Sequence, residues 1–212
     1  NEFELKKIIK EFKNKTVMHA AAMSHPLESL KYKNNYKNNN IIKTKKFIKT
    51  CKNTEIKNFI FFSSSNVYTE KRNGIYKENN GTKPKNYYGK TKILIEIFLA
   101  KNKRFFKNLY FLRLFNVAGY YNNFKYFENK YLYKRIFNII QNKLDKKNFF
   151  NLYYYIKNNK ILFPERDFIH IKDFNLLLIK IISKLNKNSN FKIYNVGSGK
   201  STNIKKLIKI NE

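Results

Sequence analysis

Residues 61–92 read FFSSSNVYTEKRNGIYKENNGTKPKNYYGKTK, and the rest of the chain is organised around this stretch. An apolar run, Asn58–Phe62, leads into it and predicts a buried strand. Three serines, Ser63–Ser65, follow the strand, and a polar loop then leads to a helical pattern that opens at Tyr88. The stretch therefore sets hydroxyl groups at the end of a strand and a tyrosine at the start of a helix.

The spacing of Tyr88 and Lys92 suggests acid–base chemistry. The two residues are four apart, so on a helix they lie one turn apart on the same face. A phenol normally titrates near pH ~10, but a neighbouring ammonium favours the phenolate and brings its pKa towards working pH. A hydroxyl at the end of the preceding strand can then share the proton, as the oxidation of an alcohol requires. The same spacing also arises by chance in a chain with 16 Tyr and 45 Lys and Arg.

Further motifs stand on both sides of this stretch. A short strand, Thr16–Ala20, runs into small side chains, and a polar segment with helical spacing, Leu27–Cys51, follows it. Three further segments follow later in the chain: Leu112–Gly119, Arg166–Ile171 and Tyr194–Gly199. This succession resembles the extended short-chain dehydrogenase/reductase family, and within it the UDP-glucose 4-epimerases and related nucleotide-sugar epimerases. The resemblance runs from near the first residue to the end, and is weakest over residues 120–164.

The resemblance implies an α/β fold, a Rossmann-like, doubly wound and mainly parallel sheet with a small substrate-binding part. We place the partial NAD-binding domain with the catalytic Ser, Tyr and Lys at residues 1–119. The substrate-binding part, interleaved with the last Rossmann elements, takes residues 120–212. None of the 6 glycines forms the family's G-x-x-G-x-x-G or G-x-G-x-x-G turn. We therefore expect a truncated chain whose 212 residues alone neither hold NAD tightly nor turn over UDP-sugars.

The activity implied by the resemblance is NAD-dependent epimerisation at C4 of a UDP-hexose, UDP-glucose or UDP-galactose, through a 4-keto intermediate. In such an enzyme Tyr88 would remove the proton of the 4-hydroxyl, directly or through Ser64. Lys92 would keep Tyr88 ionisable and hold the ribose of the cofactor. Counting back from Tyr68 selects Ser64 as the proton shuttle, whereas counting forward from the strand selects Ser65.

The resemblance also implies which residues contact NAD and the substrate. Small side chains at the carboxyl end of a strand let a flat cofactor approach the backbone. The expected cofactor contacts are Ala20, Ala21, Ala22, Asn40, Ser63, Tyr88 and Lys92. The expected substrate contacts are Ser64, Asn116 and Arg166. The planar guanidinium of Arg166 would bind two oxygens of the substrate diphosphate. For Asn116 there is an alternative to substrate binding: it could be a turn residue whose side chain bonds its own backbone.

Three alternatives stay open. A nucleotide-sugar 4,6-dehydratase would carry an acid pair where Ser65 and Asn66 stand, which favours the epimerase. A degenerate, inactive remnant is the second alternative. The third is a basic nucleic-acid-binding protein, because the net charge is +31. The basic residues are spread over every predicted element, so we expect no specific nucleic-acid partner and only weak, steeply salt-dependent binding.

Residues 197–202, GSGKST, lie between a predicted strand, Phe191–Val196, and a predicted helix, Thr202–Ile210, as a phosphate-binding loop would. The loop motif needs glycine where Tyr194 stands, so an NTPase is disfavoured.

The remaining features favour a cytoplasmic protein. Cys51 is single, which excludes a disulfide framework or a cysteine metal cluster, and the histidines lack metal-site spacing. The sequence has no run that could span a membrane and no start that resembles a signal peptide. We expect a nucleotide-sugar substrate, no metal, no membrane partner, and a homodimer if the protein is complete.

Overall fold

The computed structural model describes residues 2–11, 15–69, 75–119, 155–157, 160–185 and 190–205. The chain divides into two compact units, which are residues 1–114 with 178–196 and residues 115–177 with 197–212. The division at residue 119 that the sequence suggests stays a prediction.

The strands, numbered in chain order, are β1 (Thr16–His19), β2 (Asn58–Ser64), β3 (Asn108–Leu114), β4 (Asn116–Ala118), β5 (Tyr155–Lys157), β6 (Lys160–Leu162), β7 (Glu165–His170), β8 (Asn190–Val196) and β9 (Ser201–Asn203). Among the residues that the structure describes, the α-helices are α1 (Glu2–Glu11), α2 (Glu28–Lys31), α3 (Lys33–Tyr36), α4 (Thr44–Lys52), α5 (Tyr87–Lys101) and α6 (Ile171–Lys184). A π-helical segment, Lys37–Lys43, joins α3 to α4, and short 3₁₀ turns stand at Ser65–Val67 and Lys103–Phe105.

The first unit is built on a four-stranded sheet in the order β1-β2-β3-β8. All three strand pairs are parallel. Parallel neighbours need crossover connections, and α4 and α5 lie in the connections before β2 and before β3. The mainly parallel sheet with its helices confirms the predicted Rossmann-like α/β class.

The core of the first unit lies between one face of this sheet and the helices α1, α4 and α5. Phe59 and Phe61 of β2 point to this face, beside Leu109 and Phe111 of β3, and each is at most 1% exposed. The helices contribute Ile9, Ile48, Ile95 and Leu99. Fully burying side chains of this size contributes roughly 1.5–3 kcal/mol each. The sheet is therefore anchored through the same helix, α5, that begins at Tyr87.

A row of polar side chains crosses the sheet at the amino ends of its strands. Thr16, Asn58 and Asn108 are register partners on β1, β2 and β3. Nδ2 of Asn58 donates to Oγ1 of Thr16 at 3.0 Å, and Nδ2 of Asn108 donates to Oδ1 of Asn58 at 2.8 Å. Nδ2 of Asn108 also donates to the carbonyl of Leu185. We call these three residues the amino-end row.

In its described residues, the second unit contains two small sheets. Strand β4 pairs with β7 in parallel, and β9 pairs with β7 antiparallel. Strands β5 and β6 form a separate antiparallel pair. Nδ2 of Asn116 donates to the carbonyl of Asp167 at 2.8 Å and ties β4 to β7.

The observed elements correct several sequence predictions. The first strand ends at His19 rather than Ala20, and the second extends through Ser64. The helix predicted from Thr202 is wrong at its start, because Ser201–Asn203 is a strand; residues 206–210 lie outside the described residues. The segment 27–51 is helical but interrupted, with a π-helical part that the sequence did not predict. Within the described part of the chain, no helix combines the length and apolarity needed to cross a membrane.

Candidate active site

Helix α5 places Tyr88 and Lys92 together. Nζ of Lys92 lies 5.8 Å from the centroid of the Tyr88 ring and 4.9 Å from the centroid of the Phe61 ring. It donates a hydrogen bond of 2.7 Å to the carbonyl oxygen of Phe62 on β2. Both side chains are buried, with 8% of Tyr88 and 4% of Lys92 exposed. The ammonium is thus held out of water beside the phenol ring, as the helical spacing predicts.

The surroundings of Lys92 change its proton affinity. Burial lowers the pKa of its ammonium to about 8, and the carboxylate of Glu96 acts in the opposite direction. At neutral pH the side chain therefore keeps its positive charge, although it loses the proton far more easily than an exposed lysine does.

Two side chains cap the start of α5, one from the residue just before the helix and one from a distant part of the chain. Oδ1 of Asn86 accepts from the backbone N–H of Gly89 at 2.8 Å. Oγ of Ser29, a fully buried side chain, accepts from the backbone N–H of Tyr88 at 2.9 Å. The first N–H groups of a helix have no partner within the helix, so these caps fix the turn that carries Tyr88.

Ser64 ends β2 close to this capped turn. Its Oγ accepts from the backbone N–H and from Nδ2 of Asn66, both at 3.2 Å. Nδ2 of Asn86 donates to Oδ1 of Asn66 at 2.8 Å, so the cap of α5 is joined to the residue that holds Ser64. A Cβ on Gly89 would collide with the carbonyl of Asn66, which shows how closely the helix approaches. Ser65 is only half-buried and begins the 3₁₀ turn.

The predicted cofactor-side residues fall into two groups. Ala20 and Ala21 are exposed directly after β1, and Ala22 is half-buried. Asn40 is instead buried, and its amide accepts from the N–H of Met23 at 2.9 Å and donates to the carbonyl of Met23 at 2.8 Å. Its Nδ2 also donates to Oγ1 of Thr91 at 3.2 Å, so Asn40 anchors the segment after β1 to α5. Its contact with a cofactor stays a prediction.

His19, the last residue of β1, lies among aromatic rings near Lys92. The rings of Phe47, Phe59 and Phe61 stand 5.4–6.3 Å from its own. Its Nδ1 is buried without a hydrogen-bond partner among the described residues. Burial, and then the Lys92 ammonium, lower its pKa to about 4. His19 is therefore neutral at physiological pH and adds no second positive charge beside Lys92.

Sequence reasoning missed a buried ion pair beneath these residues. Oε2 of Glu96 lies 2.7 Å from Nη2 of Arg113, and Ser63 donates to Oε1 of Glu96 at 2.5 Å. The hydroxyl of Ser63 is thus engaged with this carboxylate, and its predicted cofactor contact stays a prediction. Two sequence features pointed to this ion pair. Glu96 follows Lys92 by four residues, as Lys92 follows Tyr88, and Arg113 is a charged residue inside an otherwise apolar strand.

The two other substrate-side predictions lie in the second unit. Asn116 stands on β4 and donates to the carbonyl of Asp167, so it is not a turn residue that satisfies its own backbone. Arg166 on β7 is exposed, and its Nη1 donates to the carbonyl of Glu165 at 2.8 Å. The substrate contacts of both residues stay predictions.

The loop at residues 197–199 holds a carboxylate of this chain. Asp167 accepts from the N–H and Oγ of Ser198, at 2.7 and 2.8 Å, and from the N–H of Gly199 at 2.9 Å. These amide groups are the donors that a phosphate-binding loop would offer to its ligand. Because Asp167 already uses these donors, the structure agrees with the sequence prediction that disfavours an NTPase.

The model of the NAD-dependent epimerase/dehydratase family matches residues 1–197. The UDP-glucose 4-epimerase of Halalkalibacterium halodurans is 28% identical over 200 residues, which cover 92% of this chain and 59% of that protein.

Solved structures with similar folds carry similar names. The UDP-glucose 4-epimerase of Brucella ovis, solved in complex with NAD, superposes with a TM-score of 0.87 at 23% identity over 98% of this chain and 65% of that one. The UDP-N-acetylglucosamine 4-epimerase of Methanobrevibacter ruminantium M1 gives 0.76 at 28% identity over 98% and 62%. The chain thus spans about 60% of the length of these relatives.

Proposed function

Because the chain belongs to the NAD-dependent epimerase/dehydratase family, we propose that it carries the proton-transfer side chains of a UDP-sugar 4-epimerase. The observation that carries the proposal is the buried ammonium of Lys92, which stands 5.8 Å from the centroid of the Tyr88 ring. A buried cation favours the ionised form of a phenol beside it, which is what a tyrosine base needs.

The chain has residues suited to the nicotinamide end of NAD. Exposed Ala20 and Ala21 leave the backbone open at the carboxyl end of β1, where open α/β sheets bind ligands. Tyr88, Lys92 and Ser63 lie on α5 and at the end of β2 in the same unit. Bound there, NAD⁺ would take a hydride from C4 of the sugar and return it. The glycine-rich turn that binds the pyrophosphate has no counterpart among the 212 residues.

The proton would move through this chain's own side chains. Tyr88 as phenolate takes the proton of the 4-hydroxyl, directly or through Ser64. It returns the proton after the 4-keto sugar has rotated to present its opposite face. Lys92 keeps Tyr88 ionisable by its charge. Asn66 holds Ser64, because both hydrogen bonds of 3.2 Å point at the Ser64 oxygen.

The substrate we propose is UDP-glucose or UDP-galactose, with Asn116 and Arg166 as its contacts. The similarity to a UDP-N-acetylglucosamine 4-epimerase makes an N-acetylated UDP-sugar the second candidate. A 4,6-dehydratase is disfavoured because Ser65 and Asn66 cannot expel water as strong acids. The homodimer and the cytoplasmic location stay predictions.

Incubation with UDP-galactose and NAD⁺ tests this function in the product of the complete reading frame. We expect NMR to show UDP-glucose as the product. Tyr88→Phe should abolish its formation, whereas Tyr87→Phe, a matched substitution at the half-buried neighbouring residue, should retain it. UDP-N-acetylglucosamine should be tried in parallel. Formation of a 4-keto-6-deoxy sugar, or equal activity of the two variants, would contradict the proposal.

A further inference from the structure

Glu96 stands at the centre of a buried polar network that the proton relay does not use. Its carboxylate accepts from Nε of Arg113 at 3.1 Å, from Nη2 of Arg113 at 2.7 Å and from Oγ of Ser63 at 2.5 Å. The side chains of Glu96 and Arg113 are 3% and 5% exposed. The two parallel N–H···O bonds form a fork, which fixes direction as well as distance.

The network forms a row across three strands at their carboxyl ends. Ser63, Arg113 and Asn195 are register partners on β2, β3 and β8. Nη1 of Arg113 donates to the hydroxyl of Tyr68 at 3.0 Å, and that hydroxyl donates to Oδ1 of Asn195 at 2.6 Å. We call Ser63, Arg113 and Asn195 the carboxyl-end row. It crosses the sheet one residue before Ser64.

The same row fastens the loop that leads to α5. Nη1 of Arg113 donates to the carbonyl of Glu78 at 2.9 Å. The backbone N–H of Asn195 donates to Oε1 of Glu78 at 2.8 Å, and Nδ2 of Asn195 donates to the carbonyl of Tyr76 at 2.7 Å. The loop is thus held to β3 and β8 by three hydrogen bonds before the chain reaches the helix.

Helix α5 is tied to two consecutive residues of β2. Lys92 donates to the carbonyl of Phe62, and Glu96 accepts from the hydroxyl of Ser63. The next residue of the strand is Ser64. These two contacts, one helical turn apart, leave little freedom for the helix to slide along the strand. An ion pair in such a place contributes little net stability, because desolvation offsets the attraction. What this pair does provide is a fixed geometry between the helix and the strands.

We propose that Glu96 is a positioning residue, whose bonds to Arg113 and Ser63 fix α5 against the end of β2 and thereby place Tyr88 and Lys92 relative to Ser64. The expected effect of Glu96 on the reaction rate rests on the proposed function, whereas its effect on the position of α5 does not. Misplacing a catalytic group by about 1 Å can cost on the order of 100-fold in rate.

The charge of Glu96 also acts on Lys92. The charged or titratable side chains facing Lys92 are Tyr88 and Glu96 on its own helix and His19 on β1. His19 is neutral and Arg113 is paired with Glu96. Removing the carboxylate charge therefore lowers the pKa of Lys92 below about 8, whereas a loss of packing alone does not.

The test uses the product of the complete reading frame and two substitutions. Glu96→Gln keeps the shape but removes the charge, and Glu96→Asp keeps the charge. A ¹³Cε NMR titration reads the Lys92 pKa without any activity, with the signal assigned by its loss in Lys92→Arg. Asn108→Ala is the matched control, because it breaks the amino-end row of the same sheet.

We expect Glu96→Gln to lower the Lys92 pKa and to lower kcat by about 10- to 100-fold while KM changes less than about threefold. Glu96→Asp should keep the pKa and recover part of kcat. Asn108→Ala should lower the thermal midpoint but leave the Lys92 pKa in place. An unchanged Lys92 pKa in Glu96→Gln, or an equal shift in Asn108→Ala, would overturn the proposal. Inactivity of the unsubstituted protein on every UDP-sugar would sink the proposed function instead, and the titration would still test Glu96.

Discussion

Nζ of Lys92 lies 2.7 Å from the carbonyl oxygen of Phe62, and this bond holds a positive charge inside the protein. The carbonyl belongs to the strand that ends in the proposed proton shuttle, and the lysine belongs to the helix that begins with the proposed base. One hydrogen bond thus joins the two elements whose relative position the chemistry needs. The bond offsets part of the desolvation cost that burial imposes on the ammonium.

The first prediction concerns Lys92→Met. The pKa of Lys92 is about 8 in the folded protein, whereas an ordinary lysine has a pKa of 10.5. Between these pH values the unfolded chain therefore binds more protons than the folded protein. Stability therefore rises with pH in that window, and the wild type should gain roughly 2–3 kcal/mol relative to Lys92→Met between neutral pH and the ordinary lysine pKa. Urea unfolding at several pH values measures this difference.

The exposed neighbour Lys90 provides the control for that experiment. Lys90→Met should show the same pH dependence as the wild type, because its ammonium stays in water. Parallel curves for the wild type and Lys92→Met would show that Lys92 is not held as a costly buried charge.

The second prediction separates the two candidate shuttles. Ser64 is buried and its oxygen is aligned by Asn66, whereas Ser65 is half-buried at the start of a turn. With UDP-galactose as substrate of the complete protein, Ser64→Ala should lower kcat on the order of 100-fold. Ser65→Ala should lower it less than about threefold, and the reverse order would assign the shuttle to Ser65.

The third prediction concerns acid stability and His19. The pKa of His19 is about 4 in the folded protein, whereas an ordinary histidine has a pKa of 6.5. Between these pH values the unfolded chain therefore binds more protons than the folded protein. Stability should be lost as pH falls from about 6.5 towards about 4, by roughly 2–3 kcal/mol. His19→Phe fits the aromatic surroundings and cannot titrate, so this part of the loss should vanish in urea titrations. An equal acid sensitivity of both proteins would contradict the prediction.

Local sequence patterns were sufficient for the main elements of the site. The apolar run before the serines predicts β2, and the four-residue spacing predicts that Tyr88 and Lys92 share a face, because both features depend only on strand and helix periodicity. The carboxyl-end row could not be predicted in this way. Ser63, Arg113 and Asn195 meet only through the register of three strands, which no single segment encodes.

Two other differences have the same physical origin. The π-helical segment contains Asn40, whose amide is bonded to Met23 and to Thr91, 51 residues away. The strand at Thr202 exists because it pairs with Arg166 of β7. In each place a distant partner decides the backbone geometry, and local propensity is overridden.

The fourth prediction concerns the approach of α5 to the serine end of β2. A Cβ on Gly89 would meet the backbone of Asn66, which cannot move as a flexible side chain could. Gly89→Ala should therefore lower the free energy of unfolding by about 2–4 kcal/mol and displace Tyr88 from Ser64. Gly81→Ala is the control, because a Cβ there meets only Oγ1 of Thr69 at 3.9 Å. Equal stability of both variants in urea unfolding would show that the close approach is absent.

The last prediction concerns Asn40, which the sequence suggests as a cofactor contact and which the structure shows as an anchor of the segment after β1. Asn40→Asp keeps an acceptor for the N–H of Met23 but loses the donor to the carbonyl of Met23. At neutral pH the buried carboxylate would face that carbonyl, and the free energy of unfolding should fall by about 2–4 kcal/mol. The exposed Asn38→Asp in the same segment should change it by less than about 0.5 kcal/mol.

The pH dependence of Asn40→Asp distinguishes an anchor from a surface contact. Burial raises the pKa of an introduced carboxyl, so the folded variant binds more protons than the unfolded chain above the ordinary value of about 4. The stability deficit of Asn40→Asp should therefore grow as pH rises from about 4 to 7, since the protonated form can still donate to Met23. Urea unfolding without any cofactor measures this growth. A deficit that appears only when NAD is added would instead assign Asn40 to the cofactor and not to the fold.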